Sequence, residues 1–111
     1  MREISEQRAL DAQILGIRME AGDVPELERE VDHTIEFPRK AKAVAAAHEL
    51  HAAGYRVQLD STGIFQVTAT ASIDSAVTAD VVDQTSLWMI DLANRHGGEY
   101  GGWGSMIASH S

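Results

Sequence analysis

Residues 27–37, LEREVDHTIEF, divide into two sets of side chains that alternate with a period of two. This period predicts a β-strand, because successive side chains of a strand point to opposite faces of its sheet. One face would carry Leu27, Arg29, Val31, His33, Ile35 and Phe37, and the other Glu28, Glu30, Asp32, Thr34 and Glu36. A strand with one largely apolar face and one charged face indicates a sheet that is covered on one side and open to water on the other.

The residues after Pro38 predict a helix and then a hairpin. Residues 39–54 are rich in alanine, the best helix former, and Gly54 is the expected residue after the helix end. Two strands follow, over residues 55–60 and 64–73, with residues 61–63 as the hairpin loop. Their inner faces would carry Tyr55, Val57 and Leu59 on the first strand, and Phe65, Val67, Ala69, Ala71 and Ile73 on the second.

A helix and a final strand follow the hairpin, and one more helix precedes the first strand. Residues 79–96, with Thr78 as N-cap and Gly97 or Gly98 as stop, would place Val81, Thr85, Trp88 and Leu92 on one helix face. Residues 99–107 would form the last strand. The helix over residues 3–21 would carry an apolar stripe of Leu10, Ile14, Ile17 and Ala21, and would end near Gly22 and Pro25.

The order of these elements is α, then βαββαβ, without a repeat or a linker. It predicts an α+β fold over residues 1–111 as one domain, a ferredoxin-like sandwich in which two helices cover one side of a four-stranded antiparallel sheet. The N-terminal helix is additional to that arrangement, and the sequence does not indicate which surface it covers.

The charge of the chain bears on its partners. The formal net charge is −8, and the first 36 residues hold ten acidic against four basic side chains. Such a surface repels nucleic acid and attracts basic protein segments, although charge of this size can also serve solubility alone. RNA-recognition motifs share the βαββαβ order, but they need bases and aromatic rings on the open face, where this chain has acids and threonines. We therefore expect no direct nucleic-acid binding.

Composition also bears on the compartment. The chain has no cysteine, its N-terminus is charged, and no apolar run approaches the roughly 18 residues of a membrane span. These features predict a cytoplasmic protein without a signal peptide or a membrane contact.

Motifs for metal or catalytic chemistry are incomplete. HELH, from His48 to His51, has i, i+3 spacing where zinc proteases have i, i+4, and the other histidines are His33, His96 and His110. There is no G-x-S-x-G elbow, and the glycine-rich stretch HGGEYGGWGSM, residues 96–106, lacks phosphate-loop and dinucleotide spacing. We expect no metal, no cofactor and no catalytic residue; a hydrolase that uses Asp60, Asp74 or a nearby histidine is the alternative.

The same stretch, placed after a long amphipathic helix, resembles the C-terminal signature of the regulator of ribonuclease activity B family, protein inhibitors of ribonuclease E. The segments AGDVPEL, REVDHTIEFP and AAGYRV follow that family's order, so that the similarity covers about residues 4–107. Its most specific part is EYGGWG, residues 99–104. The commoner family form has an aspartate where this chain has Gly101, and the family's better-studied members have denser acidic ends than ASHS.

The resemblance implies a cytoplasmic, non-catalytic protein that binds ribonuclease E and modulates RNA processing and decay. The acidic strand face agrees with a basic protein partner, whereas the identity of that partner comes from the resemblance alone. The expected partner-binding residues are Glu28, Glu30, Asp32, Glu36, Tyr100 and Trp103.

Two alternatives stay open at the sequence level. On a regular final strand Tyr100 would point opposite to Trp103, and for Trp103 a role in packing competes with a role in partner contact. We expect a monomer or a weak homodimer; the alternative function is a ferredoxin-like interaction or ligand-sensing module that acts as a homodimer.

Overall fold

The computed structural model describes residues 3–108. Its elements are α1 (Ile4–Glu20), β1 (Arg29–Phe37), α2 (Lys40–Ala52), β2 (Arg56–Ser61), β3 (Val67–Ser75), α3 (Ala79–Arg95) and β4 (Glu99–Ser105). The strands form one sheet in the order β2-β3-β1-β4, and every neighbouring pair is antiparallel. The α+β class and the ferredoxin-like order of elements are therefore confirmed.

The core lies between one face of the sheet and the helices α2 and α3. Along β1 buried and open positions alternate as predicted, with Ile35 and Phe37 fully inside. Small alanines of α2 and β3 let the helix lie close to the sheet. The main buried cluster is Ile35, Phe37, Ala43, Ala46, Leu50, Val67, Ala69, Ala71, Met89, Ile90, Leu92, Ala93 and Tyr100.

The predicted helix ends are confirmed. Gly54 and Gly97 follow α2 and α3 with φ of +98° and +70°, a backbone conformation that favours glycine. The Thr78 hydroxyl accepts a hydrogen bond from the Val81 amide at 3.4 Å and so caps α3.

Helix α1 packs against α3, and its two buried residues are polar ones that lie outside the predicted apolar stripe. Leu10 and Ile17 of that stripe are 41% and 59% exposed, whereas Gln7 and Asp11 are buried. The reason is that Asp11 accepts hydrogen bonds from α3 and β4, which fix the rotation of the helix. A buried carboxylate that is fully hydrogen-bonded avoids the large penalty of an unpaired one.

The predicted face of α3 is displaced in the structure. Of the predicted stripe only Leu92 is fully buried, and the inner side also carries Val82, Ser86 and Met89. Trp88 is 38% exposed and stacks on Tyr55, with 5.8 Å between the ring centroids.

The β2–β3 loop is longer than predicted and extends over residues 62–66. The Thr62 amide donates to the Gln66 carbonyl at 3.0 Å and closes it. Phe65 therefore lies before β3 and is 74% exposed, so its predicted place on the inner strand face is wrong. Ile64 beside it is 91% exposed.

Strand β4 contains a bulge that corrects the predicted orientation of its two aromatic rings. Tyr100 pairs with Ile35 and Gly102 with Thr34, which leaves Gly101 as the additional residue. Because one extra residue reverses the alternation, Tyr100 and Trp103 share the inner face instead of pointing to opposite faces. Gly102 has φ of +112°, which a side chain would strain.

Candidate protein-binding surface

The open face of the sheet carries a dense group of carboxylates. Pairing places Glu30 opposite Asp74, Asp32 opposite Ser72, and Glu36 between Thr68 and Glu99. Asp60 on β2 pairs with Thr68 and belongs to the same face. We call Glu30, Asp32, Glu36, Asp60, Asp74 and Glu99 the acidic face.

One guanidinium opposes these six carboxylates on the described strands. Arg56 donates to Glu30 at 2.9 Å and lies 3.4 Å from Asp74, and all three side chains are more than half exposed. Exposed pairs of this kind contribute about 0.2–1 kcal/mol, so a partner's arginine can replace Arg56 at small cost. The Ser72 hydroxyl donates to Asp32 at 2.6 Å, a neutral contact that holds this carboxylate without cancelling its charge.

The shape of the acidic face suits an extended segment. Glu30, Asp32, Thr34 and Glu36 alternate along β1, so neighbouring side chains of this row are spaced by about 7 Å. Gly102 and Gly104 flank the row on β4, and Thr70 and Ser72 flank it on β3. The Asp32 carboxylate therefore stands above small neighbours, where a cationic side chain can reach it from above.

The predicted contact residues divide between the two sides of the sheet. Glu30, Asp32 and Glu36 lie on the open face, and Glu28 is exposed just before β1. Tyr100 is 1% exposed, so its ring cannot touch a partner of the folded protein. Sequence reasoning missed Glu99, and it considered Asp60 and Asp74 only as catalytic residues; the strand register, once known, assigns all three to the acidic face.

Trp103 is half-buried on the helix side, where it joins β4 to α1. Its indole Nε1 donates to Asp11 at 2.8 Å, and the ring, like Leu15 of α1, packs against a small buried cluster of Val31, Val77 and Val82. The Arg18 guanidinium lies 5.4 Å from the ring centroid, within cation–π range. Asp11 also accepts from Ser86 Oγ and Gln7 Nε2, both at 2.8 Å.

A second buried carboxylate fastens the segment before β1. Burial of Asp23 disfavours its charged form and so raises its pKa. Hydrogen bonds from the Ala108 amide and from Arg29, together with the positive charges of Arg29 and Arg18, outweigh this effect, so the pKa of Asp23 is lowered. The Arg29 guanidinium lies 2.9 Å from this carboxylate and also donates to the carbonyls of Val24 and Leu27. These contacts fix the start of β1 and with it the row of carboxylates.

His33 lies on the inner side of β1, behind the acidic row. Burial lowers its pKa to about 4, against the opposing charges of Asp32 and Asp11, so the imidazole is neutral at pH 7. Its Nδ1 is 2.9 Å from the Tyr100 hydroxyl. His33 also lines a cavity of about 200 Å³. Other residues that line this cavity are Tyr55, Val82, Thr85 and Trp103.

The residues considered for metal or hydrolytic chemistry do not converge. His48 and His51 are both exposed on α2, and within residues 3–108 no three His, Asp or Glu side chains form a group that could hold a metal ion. His110 lies outside the described residues. Asp60 contacts Gln58, and Asp74 contacts Arg56, whereas His96 pairs with Glu49 on the helix side.

Comparison with known proteins decides the family. Residues 8–105 match the family model described as regulator of ribonuclease activity B. The chain belongs to this family. A curated relative from Photobacterium profundum, named "Regulator of ribonuclease activity B", is 28% identical over 114 aligned residues, which cover 96% of this chain and 84% of the relative. The resemblance inferred from EYGGWG and the preceding segments is confirmed.

None of the helices formed by residues 3–108 combines the length and the apolar character that a membrane crossing requires.

Proposed function

We propose that this family member regulates ribonuclease E by binding it directly, and that the acidic face is the contact surface. The observation that carries the proposal is the row Glu30, Asp32 and Glu36, exposed on an open sheet with Arg56 as the one opposing cation of the described strands. The family name supports a ribonuclease as the regulated protein.

The proposed mechanism needs no catalytic group. An arginine-rich segment of the ribonuclease would lie along β1 in an extended conformation, whose alternate side chains repeat at about the same 7 Å as the carboxylates. Charge-assisted and bidentate arginine contacts would then hold the segment. Basic segments also bind RNA phosphates. When the acidic face holds such a segment, the segment is no longer free to bind RNA, and the access of RNA to the enzyme would fall.

A cleavage assay tests the proposal. The variant Glu30→Gln/Asp32→Asn/Glu36→Gln removes the charges and keeps the polar shapes of the row. A matched control, Glu6→Gln/Glu20→Gln/Glu26→Gln, removes the same charge from exposed positions outside the sheet. We expect the row variant to need at least about tenfold more protein for the same inhibition of ribonuclease E, and the control to stay within about twofold of the wild type.

Two outcomes would contradict this assignment. Equal loss in both variants would mean that net charge acts without a defined surface. Full inhibition by the row variant, with unchanged melting temperature, would remove the acidic face as the contact.

The second candidate is a module that pairs with a second copy of itself. The exposed apolar residues Leu10 and Ile17 on α1 favour it, because they form an uncovered stripe on a helix whose two buried residues, Gln7 and Asp11, are polar. Light scattering separates the two candidates: a tight dimer that Leu10→Ser/Ile17→Ser dissociates, together with no binding to ribonuclease E, would support the module.

A further inference from the structure

The cations of the described chain fall into two classes. Arg8, Arg18, Arg29, Arg56 and Arg95 each lie beside a carboxylate. Arg39, Lys40 and Lys42 have no carboxylate partner among residues 3–108, and all three are exposed. In a chain with 17 acids and nine Lys and Arg residues, three adjacent unpaired cations make a local positive surface against the overall charge.

Two of these cations, Arg39 and Lys40, border a groove with apolar walls, and Lys42 follows them on α2. The groove has a volume of about 500 Å³ and lies between the start of α2 and the β2–β3 loop, lined by Pro38, Arg39, Lys40, Ser61, Ile64, Phe65, Gln66 and Val67. We call it the cationic groove. Ile64 and Phe65, at 91% and 74% exposed, supply its apolar surface.

The start of α2 adds to the positive character of the groove. Its first turn contains no acidic residue, and no side chain caps its free amides. The helix dipole therefore acts in the same direction as the lysines and the arginine. Most helices place an acidic residue or a capping side chain at this end. The first turn of α2 has neither, so it contains nothing that offsets the positive charge of Arg39 and Lys40.

We propose that the cationic groove binds an acidic protein segment that carries an apolar side chain. The carboxylates would meet Arg39 and Lys40, and Lys42 on the same helix would add to the positive field. The apolar side chain would cover Ile64 and Phe65, whose exposure otherwise has a hydrophobic cost. This site is separate from the acidic face and opposite in charge, so it would take a different segment. It does not rest on the proposed binding of ribonuclease E.

A short acidic segment fits better than a long polyanion. Asp60 directly precedes Ser61 of the groove, and Glu36 lies two residues before Pro38, so the acidic face begins at its border. An RNA strand that leaves the groove would pass these carboxylates and be repelled. A segment of a few residues meets only the positive region.

Fluorescence polarisation with the full chain tests the proposal. The probe is a fluorescein-labelled synthetic peptide of Asp and Glu residues around a central Leu-Phe pair. The comparison ligands are the same peptide with Ser-Ser at the centre and an oligouridylate of equal charge. The groove variant is Arg39→Gln/Lys40→Gln/Lys42→Gln, and the matched control is Arg8→Gln/Arg56→Gln/Arg95→Gln, which removes three exposed cations that already have partners.

We expect the groove variant to weaken binding of the Leu-Phe peptide about tenfold, and the control variant by less than about twofold. Phe65→Ser should weaken the Leu-Phe peptide and leave the Ser-Ser peptide unchanged, because only the former uses the apolar wall. Equal losses in both triple variants would overturn the proposal, as would tighter binding of the oligouridylate than of the peptide. A wild-type protein that does not bind the peptide at low salt would overturn it too.

Discussion

Acidification should destabilise this protein through one buried histidine. The pKa of His33 is about 4 in the fold because burial disfavours the charged ring, against 6.5 for a free side chain. The unfolded chain therefore takes up a proton as the pH falls below 6.5, whereas the folded chain takes it up only near 4. The contribution of neutral His33 is fully present above pH 6.5 and is lost as the pH falls towards 4.

The size of the effect follows from the difference between the two pKa values. The difference between 6.5 and about 4 corresponds to about 3 kcal/mol between neutral and acidic pH, and most of this is already lost at about pH 4.5. Such a loss is a large fraction of the stability of an ordinary domain. It should appear in urea unfolding curves measured at intervals between about pH 7 and pH 4.5.

The matched variant is His33→Gln, which keeps a polar side chain and removes the titration. Carboxylates such as Asp23, whose pKa is lowered, also lose stabilising charge on acidification, but they do so equally in both proteins. Over this range the wild type should therefore lose about 2–3 kcal/mol more unfolding free energy than the variant. Parallel curves for the two proteins would refute the reasoning.

Three further substitutions test the packing of β4 and α1. Gly98→Ala should lower the melting temperature and reduce the free energy of unfolding by about 1–3 kcal/mol. The new Cβ would lie 2.7 Å from the Phe37 ring and 2.8 Å from the Glu36 carbonyl oxygen. A variant as stable as the wild type would refute this contact. Gly16→Ala, with no atom within 4 Å of the added Cβ, should raise the free energy of unfolding by about 0.5–1 kcal/mol, and a loss would contradict the open position. Trp103→Phe should cost about 1–3 kcal/mol in chemical unfolding, because it removes the Nε1 donor to buried Asp11; an unchanged midpoint would show that this bond contributes little.

The two faces of β1 could be predicted because apolar and polar side chains alternate along neighbouring residues of the sequence. The row Glu30, Asp32 and Glu36 was found in this way, since a period of two alone separates the open from the buried side of β1. The partners of this row could not be found from alternation. Asp60 and Asp74 join it only through the register of β2 with β3 and of β3 with β1, which depends on where the hairpin loop ends.

The rotation of α1 could not be read from its apolar residues. Asp11 is held by Ser86 and Trp103, which lie 75 and 92 residues away along the chain, and these bonds outweigh the burial of Leu10 and Ile17. Hydropathy counts an aspartate as exposed and gives no sign of such partners. Long-range hydrogen bonds of this kind are a property of the folded arrangement.

The glycines of EYGGWG did contain a usable signal. Adjacent glycines inside a strand often mark a bulge, and a bulge at Gly101 brings Tyr100 and Trp103 to the same face. Gly101, where the family resemblance leads us to expect an aspartate, is therefore the additional residue of the bulge. Its side chain would begin 3.4 Å from the Thr34 carbonyl oxygen, an ordinary close contact, so the bulge can accommodate a residue with a Cβ there.

The salt dependence of the complex is the most direct test of an acidic contact surface. The dissociation constant for ribonuclease E should be measured for the wild type and for Glu30→Gln/Asp32→Asn/Glu36→Gln over a series of salt concentrations. If the acidic face is the contact, the wild-type affinity falls steeply with salt and the variant shows a weaker affinity with a clearly shallower slope. Equal slopes and equal affinities for the two proteins would contradict it.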